Sequence, residues 1–183
     1  MNLTVFGSAR LTPETDEYKD AVRLGQMLAA EGHTITTGGY GGLMEAASRG
    51  AHDAGGTVVG ITMAPWKGRI SANRYLSHEH AAQTLFARIE ALIKADCLIA
   101  LAGGAGTLGE VALAWNLLQM DLMPKTPVIL VGPVWKAMTE AFRDHLIISN
   151  RDLELLKLVG TVDDVIVAVS KLPPPIPAAT WRG

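Results

Sequence analysis

Two glycine-rich segments constrain this chain more than any other feature. Thr37-Gly38-Gly39-Tyr40-Gly41-Gly42 and Ala102-Gly103-Gly104-Ala105-Gly106-Thr107 close the strand-length segments His33 to Thr37 and Cys97 to Leu101 respectively, and each opens into residues at helical spacing. A short apolar run bounded by glycines reads as a buried strand. A strand that turns directly into a helix is the unit from which parallel sheets are assembled. Gly7-Ser8, after Leu3 to Phe6, is a shorter turn of the same kind.

The rest of the sequence repeats that alternation. Strands are predicted over Leu3 to Phe6, His33 to Thr37, Thr57 to Met63, Cys97 to Leu101 and Val128 to Val131. Helices are predicted from Thr12-Pro13, read as N-cap and first-turn proline, to Gly32, and from Leu43 to Gly55-Gly56. Others run through Leu85 to Ile93, Leu108 to Met120, Val134 to Leu146 and Val165 to Leu172. Strands with few polar residues, alternating with helices, belong to a parallel sheet covered on both faces. The predicted fold is therefore α/β and doubly wound, with one domain over residues 1–172. Residues 173–183, opening Pro173-Pro174-Pro175-Ile176-Pro177, are expected to form an extended or disordered tail. Ala64 to His80 reads as an irregular loop whose length points to function.

Composition narrows the partners. At 183 residues the chain can bury a substantial core without covalent support, and its one cysteine rules out a disulfide framework within it. A formal net charge of −2, with no run of like charge, gives no broad positive field for nucleic acid or an anionic membrane. No stretch approaches eighteen apolar residues, and no basic region precedes the first apolar run, so neither a membrane span nor a signal peptide is predicted. A cytoplasmic location is expected, with a small molecule as ligand.

In an open α/β sheet, ligands bind beyond the carboxyl ends of the strands, where the N–H groups of the following helix lack partners. Glycine lets a phosphate approach that backbone closely, and the positive helix end favours its charge. The two matched turns therefore predict either a site for a phosphate-bearing small molecule or simply two tight turns. Ser8, Gly39, Gly41, Gly42, Gly103, Gly104, Gly106 and Thr107 are the candidate binding residues. Gly104 to Gly109 also satisfies Gly-x-Gly-x-x-Gly, but the following strand ends Val131-Gly132-Pro133 with no carboxylate for a ribose, which argues against a dinucleotide. No Gly-Lys-Ser/Thr follows either turn, so the ATPase-type phosphate loop is absent.

Two charged residues border these turns. Glu110 lies early in the helix after the second turn, where it either faces the bound ligand or reaches back to Thr107 in a capping box. Arg88, three after Leu85 and four before Leu92, flanks an apolar helix face and either snorkels or pairs with an anion. His78-Glu79-His80 lacks the spacing that puts two zinc ligands on one helix face, Cys97 reads as an inert buried thiol, and Ser8 has no nucleophile elbow. Tyr40 and Trp66 are read as packed aromatics or as a face for a base. No metal or cofactor is called for.

Thr37-Gly-Gly-Tyr-Gly-Gly-Leu-Met44, an arginine in the helix before Ala95-Asp96, and Ala102-Gly-Gly-Ala-Gly-Thr-Leu-Gly-Glu110 together resemble the signatures of the LOG family, the cytokinin riboside 5′-monophosphate phosphoribohydrolases. The resemblance extends from Gly7-Ser8 to about Val169. It implies a Rossmann-like homodimer that hydrolyses the N-glycosidic bond of an adenine-type nucleoside 5′-monophosphate. By that pattern the loop with Thr107 holds phosphate, Glu110 is the catalytic carboxylate and Arg88 its partner. The chain departs from the pattern at Ala102, where the family has proline, at Ile89, where it has lysine, and at Ala114-Trp115-Asn116. Relatives of the fold also include molybdenum cofactor carriers, so the alternative is a binding protein without turnover. A pyridoxal phosphate decarboxylase is disfavoured, since no lysine sits beside these loops to form the Schiff base.

Overall fold

The computed structural model of the protein describes residues 1–173; the tail expectation falls on residues 174–183, outside the described residues, apart from Pro173. In chain order the elements are β1 Asn2–Phe6, α1 Asp16–Ala30, β2 Thr34–Thr37, α2 Leu43–Asp53, β3 Val58–Met63, β4 His78–Ala82, α3 Leu85–Ile93, β5 Cys97–Ala100, α4 Ala105–Gln119, β6 Val128–Val131, α5 Pro133–His145, α6 Asn150–Leu153, β7 Leu156–Val159 and α7 Val162–Val169. They build one seven-stranded sheet in the order β4-β3-β2-β1-β5-β6-β7. Every neighbouring pair is parallel.

The two-residue period of a strand sends alternate side chains to opposite faces. Cys97 and Ile99 of β5, with Ile129 and Val131 of β6, join Leu24 and Leu28 of α1, Ala46 and Ala47 of α2 and Val165 of α7 in one core. Leu98, Ala100, Val128 and Leu130 from the same strands join Leu92 of α3, Val111 and Ala114 of α4 and Trp135 of α5 in the other. The sheet is thus covered on both sides, and the Rossmann-like doubly wound architecture expected from the sequence is what forms.

Several local expectations change. Helix α1 starts at Asp16, not Thr12-Pro13: the Thr15 side chain accepts from the Tyr18 N–H, while Thr12 closes a preceding turn by accepting the Thr15 N–H. Asp16 and Glu17 then occupy the first turn, where the helix dipole favours acids. Helix α4 begins three residues before Leu108, so Thr107 lies inside it and cannot be its N-cap; that residue is Gly104. The segment read as irregular ends in β4, whose exposed His78-Glu79-His80 run gives no apolar alternation because it forms the sheet's outer edge. The last helix covers Val162–Val169 instead of Val165 to Leu172, with Thr161 and Asp164 forming its capping box. No helix among the described residues is long and apolar enough to cross a membrane.

Helices α1 and α2 meet backbone to backbone on the first face. A Cβ on Gly25 would overlap the Ala47 carbonyl, and one on Gly50 would overlap the Val22 carbonyl. Neither helix can move away without opening the core beneath. Gly50→Ala is therefore expected to destabilise the fold by about 1–3 kcal/mol, seen as a lower urea midpoint with an unchanged denaturant slope.

Candidate active site

The order of the strands fixes where a ligand can sit. From β1 the chain winds outward through β2, β3 and β4, then returns through α3 to place β5 on the other side of β1. The winding reverses between β1 and β5, and such a switch point leaves a crevice at the carboxyl ends. The three glycine-marked turns follow β2, β1 and β5, three adjacent strands. The first and last of these turns are tied through Ser8, whose N–H donates to the Ala102 carbonyl at 2.9 Å and whose carbonyl accepts the Leu43 N–H at 2.8 Å.

The glycines divide into two groups. Gly39 and Gly42 have φ of +77° and +70°, and a Cβ on Gly42 would overlap the Ser8 carbonyl. On Gly39 it would press on Thr62, on Gly38 on the Arg88 guanidinium, and on Gly103 on Thr107. The fold itself accounts for these four. Gly104 and Gly106 are exposed, their φ is not positive, and a Cβ on either would meet nothing within 4 Å. Gly41 is nearly as open. Gly104 caps α4 without a side chain, and the first intrahelical bond runs from the Leu108 N–H to the Gly104 carbonyl. The N–H groups of Ala105, Gly106 and Thr107 are thus left for an acceptor outside the helix. Their setting suits an anion. The Ser8 hydroxyl, expected to bind ligand, accepts the Arg10 N–H at 3.1 Å and keeps its own hydrogen to donate.

Arg88 does not snorkel. It is only 7% exposed, its Nε donates to the Ile61 carbonyl at 2.8 Å, and Nη2 donates to the Gly38 carbonyl at 3.2 Å. Nη1 donates to Oε1 of Glu110 at 3.4 Å. The guanidinium also lies 5.8 Å from the centre of the Tyr40 ring. A guanidinium has five N–H donors, so two remain for a ligand. Glu110 is therefore not the capping residue of the sequence reading; with Thr107 inside the helix, its carboxylate turns to Arg88. The Glu110 side chain is 12% exposed. Burial pushes its carboxyl up to about 7, with the neighbouring Arg88 pulling the other way. A carboxyl poised there can exchange a proton at neutral pH.

Tyr40 is packed: its ring lies 5.5 Å from that of Trp66 and its hydroxyl accepts the Met63 N–H at 2.7 Å. Cys97 is buried in β5, its thiol pushed up to about 12 by burial. Sequence reasoning missed the polar residues behind the first turn, Thr37, Ser48 and Asn73. Their signals were slight: Thr37 adjoins a glycine, Asn73 lies inside a long loop, and Ser48 is a small polar residue on the otherwise apolar face of α2.

An open parallel sheet with its crevice at the switch point, an uncapped glycine-lined helix end and a buried guanidinium–carboxylate pair define a Rossmann-like α/β protein with a candidate site at its switch point. Residues 1–153 match the model of the SLOG cluster4 family, and the chain belongs to that family. The family-level resemblance drawn from the glycine motifs is thus correct. A protein of Archaeoglobus fulgidus is 35% identical over 133 residues, 72% of this chain and 85% of that one. The cytokinin riboside 5′-monophosphate phosphoribohydrolase of Mycobacterium marinum is 29% identical over 164 residues, 85% of this chain and 86% of that one. Among solved structures, the molybdenum cofactor binding protein of Rippkaea orientalis superposes with a TM-score of 0.74 at 28% identity, covering 92% of this chain and 94% of that one.

The raised Glu110 pKa has a stability consequence. The native state holds the proton more tightly than the unfolded chain between 4.5 and about 7. The stability this carboxyl contributes is therefore fully present below its unfolded pKa and lost as pH rises through the folded one. Replacing Glu110 by Gln removes that dependence. The difference in unfolding free energy, variant minus wild type, should increase from about pH 5 to about pH 8, measured by urea denaturation at each pH.

Proposed function

We propose that the protein hydrolyses the N-glycosidic bond of an adenine-type nucleoside 5′-monophosphate, AMP or a cytokinin riboside 5′-monophosphate, releasing free base and ribose 5-phosphate. The observation that carries this reading is the buried Arg88–Glu110 pair, whose carboxyl is poised near neutrality beside an uncapped helix end. The phosphate is held by the first-turn N–H groups of α4, with Gly103, Gly104, Gly106 and Thr107 forming the loop. Ser8, Gly39, Gly41 and Gly42 border the ribose and base. Cleavage passes through an oxocarbenium-like state at the anomeric carbon. Ionised Glu110 stabilises that charge and takes a proton from the attacking water, while Arg88 orients the carboxylate. As the C–N bond breaks and water's oxygen bonds the anomeric carbon, the proton taken by Glu110 is passed on to the departing base, which regenerates the carboxylate. The similarity to the Mycobacterium marinum phosphoribohydrolase supports the reading.

A second reading is a binding protein without turnover. It is favoured by the similarity to the Rippkaea orientalis molybdenum cofactor binding protein, and by Ile89 and Ala102, where the phosphoribohydrolase pattern has lysine and proline. The two readings separate in one assay. Purified protein incubated with AMP and with isopentenyladenosine monophosphate is expected to release base and ribose 5-phosphate. Arg88→Ala and Glu110→Gln should each lower kcat/KM at least a hundredfold, an order of magnitude typical of removing a general base. Tight binding with no product would favour the carrier.

The pH dependence follows from the ionised form being the active one. Below about 7 Glu110 is protonated, so kcat/KM should rise as pH increases through that value and then level. A homodimer is part of the same proposal. Leu85 and Phe86 on α3 are 51% and 81% exposed beside the Arg88 helix turn, apolar surface suited to a second copy. Sedimentation of wild type and Phe86→Glu should show a dimer and a weakened dimer respectively; a concentration-independent wild-type monomer would sink the idea.

A further inference from the structure

The segment between β3 and β4 has no part in the chemistry just described, yet it carries Asn73, a half-buried side chain that uses both ends of its amide. The Asn73 N–H donates to the Gly39 carbonyl at 2.8 Å. Its Nδ2 donates to the Tyr40 carbonyl at 3.2 Å and to Oγ of Ser48 at 3.4 Å, and its Oδ1 accepts the Tyr75 N–H at 3.1 Å. The backbone partners fix the orientation of the amide, since a carbonyl must face Nδ2 and an N–H must face Oδ1. Ser48, fully buried, donates to the Met44 carbonyl at 2.8 Å and lies 3.2 Å from Oγ1 of Thr37. Thr37 in turn accepts the Gly39 N–H at 3.1 Å.

These bonds grip three successive peptide units of the first glycine turn. The unit joining Gly38 to Gly39 is the decisive one. A trans peptide is planar, with N–H and C=O pointing in opposite directions. Holding the Gly39 N–H on Thr37 therefore aims the Gly38 carbonyl the other way, at Nη2 of Arg88. Without a grip, a peptide between two glycines can rotate at little cost, since neither residue restricts its dihedrals as a side chain would. Rotation would turn the N–H toward the guanidinium and take away an acceptor.

We propose that Asn73 is a positioning residue: with Ser48 and Thr37 it locks the first glycine turn so that the Gly38 carbonyl holds Arg88 against Glu110. The kinetic consequence rests on the reading of Arg88 and Glu110 as the catalytic pair, whereas the geometric consequence does not. The loop after β3 thereby acts on a residue of α3 through the turn after β2, to which neither of them belongs.

The test reads Glu110 directly, by carboxyl carbon NMR titration of the full chain labelled at glutamate. Releasing Arg88 removes its pull on a carboxyl that stays buried, so Asn73→Ala should raise the Glu110 titration midpoint, and Thr37→Val should do the same. Thr37→Ser, which keeps the oxygen that accepts the Gly39 N–H, should restore the wild-type midpoint. In AMP hydrolysis, Asn73→Ala and Thr37→Val should lower kcat at least tenfold while KM changes less than twofold. Should Asn73→Ala fail to fold, the Thr37 pair decides the question. Folded Asn73→Ala or Thr37→Val protein with an unmoved Glu110 midpoint overturns the proposal. If the wild type turns over no nucleotide but the midpoint shifts as expected, the hydrolase reading fails and the positioning role stands.

Discussion

The buried guanidinium of Arg88, bonded on three sides, is the interaction on which the candidate site depends. One side chain from α3 reaches the end of β3 at Ile61, the first glycine turn at Gly38 and helix α4 at Glu110. Those three partners lie far apart in the chain and meet only because the sheet winds outward to β4 and then returns to β5. A buried ion pair is poor evidence of stability in itself, since desolvation of both charges offsets their attraction. Here two carbonyls share the guanidinium, so it stays satisfied whichever protonation state Glu110 adopts. That leaves the carboxyl free to titrate near neutrality without the arginine losing its place.

The same arrangement explains why the first glycine turn is built as it is. Gly38 is glycine because the guanidinium lies where its Cβ would be, and Gly42 because the Ser8 carbonyl does. Both are positions where the chain needs its own backbone close by. Thr37, Ser48 and Asn73 then supply the hydrogen bonds that a turn without side chains cannot make for itself. Rigid support behind a peptide flanked by glycines is what a site needs when its charged groups must keep a fixed geometry through a reaction.

The sheet was legible because β1, β3, β5 and β6 are largely apolar runs and β2 is β-branched throughout, each bounded by turn residues, and both faces of these strands are buried. Strands β4 and β7 lie at the two edges, where one flank is solvent and the apolar signal thins to nothing in His78-Glu79-His80. Arg88 and Glu110 could be singled out by position and paired by the family resemblance, but spacing alone could not pair them, because their contact depends on a crossover through the whole sheet. The capping role for Glu110 failed for a local reason: α4 starts one turn earlier than its apolar residues suggest, since Ala105 and Gly106 carry no periodicity to read. Asn73 was hidden in a loop whose sequence gives no register against the turn it holds.

The two glycine turns look like copies of one another in the sequence, yet they answer to different neighbours. In the first, the space a side chain would take at Gly38, Gly39 and Gly42 is already filled by this protein's own atoms, and Gly41 alone is nearly open. In the second, Gly104 and Gly106 face open solvent beside unpartnered helix N–H groups. A side chain at Gly38, Gly39 or Gly42 therefore collides with the protein itself, whereas one at Gly104 or Gly106 meets only the space outside it. One motif, repeated, has divided into a keystone and a doorway, and a change in the chain can close the doorway while the arch stands.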